Sequence, residues 1–144
     1  ALTAAGANIA GGDIQKVASP ATGRTEALSL VADYLSANPG GLDGVWVGWD
    51  DAALGAAQAV SEAGSKAKVT GVDATSEAIA AIKAGGPFLA TIEQPWPSIL
   101  DTVVGDIEAY RKDGTLPSSR FDAVATTLVT VDNADSITPS DKLG

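Results

Sequence analysis

Short apolar runs of β character alternate with helix-period stretches through most of this chain, and that alternation restricts the fold more than any other feature. The runs fall at 14–19 (IQKVAS), 44–49 (GVWVGW), 67–72 (AKVTGV), 88–94 (FLATIEQ) and 125–133 (ATTLVTVDN). Between the first two, 24–37 puts Leu28, Val31, Tyr34 and Leu35 on one helical face and stops at Asn38-Pro39-Gly40. The stretch 50–64 reads as a helix with an aspartate cap at its start and Gly64 at its end. A shorter helix over 75–86 takes its cap from Thr75 or Ser76 and closes at Gly85. Strands separated by helices of roughly 10–15 residues predict right-handed crossovers and a parallel sheet, an α/β architecture. The near-continuous apolar run 44–49 further predicts a strand buried on both faces.

After Gln94 the rhythm changes. Pro95 and Pro97 bracket Trp96 as a stiff connector, and a longer amphipathic helix follows. Its apolar stripe comprises Ile99, Leu100, Val103, Val104, Ile107 and Tyr110, with Asp101, Glu108, Arg111 and Lys112 mostly opposite. A loop over 114–120 leads to the run 125–133, and a polar tail (ADSITPSDKLG) ends the chain.

Composition narrows the chemistry. The chain has no His and no Cys, so Ser-His-Asp and Cys-His catalysis, disulfides and zinc-thiolate sites are outside its reach. Lys and Arg number 9 against 18 Asp and Glu, a net charge of −9 that repels nucleic acid. Neither a dinucleotide-binding nor a P-loop glycine pattern is present. An enzyme is poorly supported by so thin a set of reactive groups, and neither a cofactor nor a metal is expected. There is no Met either, and the opening ALTAAGANIAGGD has the form of neither a signal peptide nor a domain start, which predicts a piece of a longer protein.

Open parallel sheets bind ligands at the carboxyl ends of their strands. Three successive runs end there in residues suited to a polar ring: Trp49 beside Asp50, then Asp73, then Gln94. An aromatic face packs on the C–H side of a sugar-like ring, while carboxylate and amide oxygens accept its hydroxyl protons. Each has a plainer use as well. Asp50 reads first as the N-cap of the helix behind it, Asp51 as favourable charge in the first turn, and Trp49 suits core filling as readily as ligand stacking. Their recurrence at equivalent strand ends favours a ligand-binding set of Trp49, Asp73 and Gln94.

The stretches DGVWVGWDDAALGAAQAVSEAG and KVTGVDATSEAIAAIKAGGPFLATIEQ resemble the C-terminal half of ribose-type solute-binding proteins of bacterial ABC importers, over roughly residues 13–132. The resemblance implies one incomplete Rossmann-like lobe of the two-lobe periplasmic-binding-protein type I fold. Residues 1–94 would form the C-terminal ligand-binding lobe without its first strand. Residues 95–121 would form the hinge crossover and a helix that packs on the N-terminal lobe, and 122–144 the returning strand and tail. It further implies that Trp49 contacts a sugar, that Asp73 binds ring hydroxyls, and that Gln94 lies at the hinge and reaches ligand. Two departures stand out. Pentose-binding relatives often carry Asn where Trp49 stands, and an aromatic near the start of the first helix, where this chain has Thr22 and Arg24. Arg24 is expected to stabilise its helix rather than touch ligand.

The implied function is an extracytoplasmic receptor, periplasmic or lipid-anchored at the cell surface, that passes a sugar or polyol to an ABC permease by hinge closure. The effector domain of a LacI-type transcription repressor is the alternative, since it shares the fold and a similar DDxALG landmark. Without its usual cover, the apolar stripe of the 97–113 helix is expected to hold the missing N-terminal lobe or a second copy of this chain.

Overall fold

A computed structural model describes residues 3–119 and 121–142. Positions 1, 2, 120, 143 and 144 lie outside the described residues, including the last position of the expected loop 114–120 and the last two of the expected tail. Among the described residues four strands form one sheet: β1 (Gly44–Trp46), β2 (Lys68–Asp73), β3 (Phe88–Glu93) and β4 (Thr127–Val129). The α-helices of the described residues are α1 (Gly23–Ala37), α2 (Asp50–Glu62), α3 (Ser76–Ala84) and α4 (Trp96–Asp113), with single 3₁₀ turns at Thr3–Ala5, Ala10–Gly12, Ala134–Ser136 and Ser140–Lys142.

The strands lie in chain order β1-β2-β3-β4. β1, β2 and β3 run parallel, and β4 returns antiparallel to β3, pairing Thr91 with Val129 and Glu93 with Thr127. Right-handed crossovers that always step the same way place α2 and α3 on one face of the sheet. The burial pattern agrees. Val69 and Gly71 of β2, Thr91 of β3 and Val129 of β4 point into the core with Leu35, Val60, Ile79, Ile82 and Phe88. The other face, carrying Trp46, Thr70, Val72, Ile92 and Leu128 in register, is only partly covered, and Trp46 is 66 % exposed.

The helices end as their residues dictate. Thr75 caps α3 by accepting from the Ala78 N–H, and Gly85 closes it in the left-handed conformation. Gly64, at φ +60°, terminates α2, with the Ser65 N–H bonded back to the Val60 carbonyl. Small residues let α1 and α2 pack closely: a methyl group on Gly55 would sit 2.0 Å from the Arg24 carbonyl oxygen.

Four expectations need correction. The run 14–19 is not a strand: the Ala18 N–H goes to the Glu26 carboxylate (2.6 Å), not to a neighbouring strand, and Ile14 is exposed. The run 44–49 is not buried on both faces. It pairs only over 44–46, at the sheet edge, where Trp46 stays exposed. The last strand keeps three residues of the expected nine-residue run, because Asn133 turns the chain by accepting from the Thr130 N–H and donating to the Leu128 carbonyl. Finally, Trp96 and Pro97 are not connector; they form the first turn of α4, where a proline has no hydrogen bond to lose.

Candidate functional site

The carboxyl ends of β1, β2 and β3 gather Trp49, Asp73 and Gln94 along one edge of the sheet. Asp73 is the last residue of β2, and Gln94 directly follows β3. Parallel pairing sets Asp73 beside Glu93, so the side chains of the two strand ends meet. The Gln94 amide donates to Asp73 Oδ1, and both residues are half-buried. This bond orients both groups, leaving a carboxylate oxygen and an amide oxygen as acceptors at the rim.

Trp49 arrives differently. It is the residue before α2, in extended conformation, and its carbonyl accepts from the Ala53 N–H. Its indole is half-buried against the start of α1, where a methyl group on Gly23 would lie 2.5 Å from Cζ2. The glycine makes room for the ring, which fixes where the aromatic surface stands. Trp49 forms no hydrogen bond with the Asp73–Gln94 pair among the described residues, so two of the three expected residues are directly joined and the third shares only their edge.

Asp50 is not the N-cap of α2. Trp49 occupies that position, and the helix has no side-chain cap. Asp50 is fully buried and reaches across the sheet: it accepts from Thr91 Oγ1 (2.7 Å), the Thr75 N–H (2.8 Å) and Thr75 Oγ1 (3.3 Å). The small residue at Gly71 permits this, since a methyl group there would lie 2.3 Å from Asp50 Oδ1. Burial pushes the Asp50 carboxyl above the usual carboxylate range and the nearby Asp73 charge adds to it, against the bonds from Thr91 and Thr75.

Thr91 was missed in the sequence, although a hydroxyl between Ala90 and Ile92 in an apolar strand implies a buried partner. Its Oγ1 donates to Asp50 and accepts from the Ala74 N–H (3.3 Å), which carries the buried carboxylate's influence to the residue after Asp73. That turn is unusual: Asp73 has φ +123° and Ala74 φ +57°, both outside the range that side chains favour.

Arg24 is engaged by carboxylates. Its guanidinium grips Glu77 with two bonds (2.9 and 2.7 Å) and Asp51 with a third (2.8 Å), tying together the first turns of α1, α2 and α3. The ion pair holds Glu77 below the usual carboxylate range. Arg24 therefore braces three helices, and not its own alone.

The edge can accept several hydroxyl protons beside an aromatic surface. No group of three or more acidic residues among the described ones is arranged to hold a metal ion.

Comparison with known proteins gives a consistent result. A family model described as "Periplasmic binding protein domain" matches residues 3–100. A Caulobacter myo-inositol binding protein bound to myo-inositol is 32 % identical, with a TM-score of 0.67 over 78 % of this chain and 38 % of that one. An ABC transporter solute binding protein from Mycobacterium smegmatis with bound glycerol is 33 % identical, with a TM-score of 0.61 over 78 % and 38 %. One from Agrobacterium vitis with bound allitol is 25 % identical, with a TM-score of 0.74 over 86 % and 43 %. The chain thus spans about two fifths of the solved relatives it matches, in keeping with one lobe of a two-lobe fold.

Proposed function

Because the chain belongs to the periplasmic binding protein domain family, we propose that it is the C-terminal lobe of a receptor that binds a sugar or polyol without altering it. Residues 1–94 are the ligand-binding lobe, 95–121 the hinge crossover with a helix that packs on the other lobe, and 122–144 the returning strand and tail. Ligand bridges the two lobes and favours the closed state through contacts made only there. The closed receptor then delivers its cargo to an ABC transporter permease from an extracytoplasmic position, periplasmic or lipid-anchored.

The observation that carries this reading is the Asp73–Gln94 pair at adjacent strand ends, with Trp49 on the same edge. A carboxylate held by an amide accepts a ring hydroxyl as a charge-assisted bond, and the indole supplies the apolar surface that a ring's C–H face needs. The bound polyols of solved relatives support the ligand class.

The test is a titration of the chain with myo-inositol, allitol and glycerol, followed through the resonances of Trp49, Asp73 and Gln94. Nuclear magnetic resonance reads the weak binding that one lobe alone would give. A responsive polyol should lose about tenfold in affinity in Asp73→Ala, as expected for a hydrogen bond to a charged group. Trp49→Ala should weaken it as well. Unchanged affinity in both variants would remove these residues from the site.

A further inference from the structure

The turn that carries Asp73 is held from two sides, and one of them is distant in sequence. Two successive non-glycine residues with positive φ, Asp73 and Ala74, form a strained turn that persists only where its surroundings over-determine it. From inside the core, Thr91 takes the Ala74 N–H and Asp50 takes the Thr75 N–H. From outside, the last 3₁₀ turn takes the rest. The Ser140 N–H donates to the Ala74 carbonyl (3.0 Å), and Asp141 Oδ1 accepts from both the Ser76 N–H (2.7 Å) and Ser76 Oγ (2.9 Å). Every backbone group of Ala74 and the amides of Thr75 and Ser76 thereby have partners from other elements.

The outer turn is itself anchored. Ala134, which begins the segment, is buried in the core, and Asp135 pairs with Lys83 of α3. A polar segment with a merely solvated role would have no reason to be tied at both ends to the helix that follows Asp73.

We propose that Ser140 and Asp141 are positioning residues: they clasp the Asp73–Ser76 turn and so set the orientation of the Asp73 carboxylate toward ligand. The ligand part rests on the reading of Asp73 given above; the clasp itself does not.

The experiment combines amide hydrogen exchange and side-chain resonances in three variants of the chain. Asp141→Ala should speed exchange at Ala74, Thr75 and Ser76 by about tenfold relative to Val69–Val72, because a local opening no longer has to break the cap. It should also shift the Asp73 carboxyl and Gln94 side-chain amide resonances. Asp141→Asn keeps an oxygen at the same place and should restore both readouts. Ser140→Pro removes the donor to the Ala74 carbonyl, at a position in a first turn where proline's fixed φ is tolerated, and should loosen the same three residues, which covers the case in which Asp141→Ala fails to fold.

Exchange at 74–76 and a Gln94 resonance unchanged in both Asp141→Ala and Ser140→Pro would overturn the clasp. So would a loss of protection spread evenly through β2. With myo-inositol as the probe, a responsive wild-type chain should bind more weakly as Asp141→Ala and recover as Asp141→Asn. If wild type shows no response to any polyol, the ligand reading of Asp73 falls while the exchange data still judge the clasp.

Discussion

Asp50 shows how one side chain can serve a site without facing it. Its carboxylate is buried, takes three hydrogen bonds, and sits under the turn that presents Asp73. In Asp50→Asn the amide N–H must face a group that now donates, Thr91 Oγ1 on one side or Thr75 on the other, at a cost of about 2 kcal/mol. The pH dependence has a definite sign. A carboxyl whose folded pKa is raised contributes stability that is full below its unfolded value, near 3.9, and is lost as pH rises through the folded value. The stability gap between wild type and Asp50→Asn should therefore narrow as pH rises from about 4 to 7, measured by urea unfolding at each pH. A gap that widens would mean that the hydrogen bonds outweigh burial.

At the scale of elements, the sheet edge owes its geometry to how closely α1 and α2 approach. Gly55 lies against the Arg24 carbonyl, and Gly23 lies under the Trp49 indole. These two contacts place the aromatic ring and the Arg24 brace to Asp51 and Glu77. Gly55→Ala would put a methyl group 2.0 Å from backbone oxygen, which neither helix can give way to without shifting. We expect a loss of about 3 kcal/mol in chemical denaturation, at the upper end for overpacked cores, together with a moved Trp49 resonance. A small loss with an unmoved Trp49 resonance would show that the helices yield freely. The helix ends were legible from Thr75, Gly64 and Gly85, because caps are local chemistry. The extent of β1 was not, since a strand needs a neighbour and an apolar run cannot say which of its faces will be covered.

For the whole molecule, the question is what covers its apolar surfaces. Leu100, Val103, Val104, Ile107 and Tyr110 line one side of α4 at 48 to 58 % exposure, and no residue of that helix is buried. The partly covered sheet face adds the exposed Trp46 and Leu128. The matched relatives are more than twice as long as the part this chain aligns to, and we propose that the α4 stripe packs on a second lobe of the kind those proteins have room for. In its absence the stripe should drive self-association, detected by light scattering as a mass above the 14.3 kDa of one chain. Val104→Ser with Ile107→Ser should restore a monomer at a stability cost of under about 1 kcal/mol, because both side chains are already half exposed. A clean monomer for the unaltered chain would count against this assignment.

The residues by themselves determined the α/β class, the helix stops, and the placing of Asp73 and Gln94 at adjacent strand ends. These follow from periodicity, capping and the position of loops in a parallel sheet, all of which act over a few residues. Only the tertiary structure decided that Asp50 is a buried tie and not a cap, and that Thr91 relays it to Ala74. It alone decided that the end segment folds back on the Asp73 turn. Those bonds join residues 17 to 66 positions apart, and the pairing of a buried polar group is settled by what lies across the sheet from it, not by its neighbours in the chain.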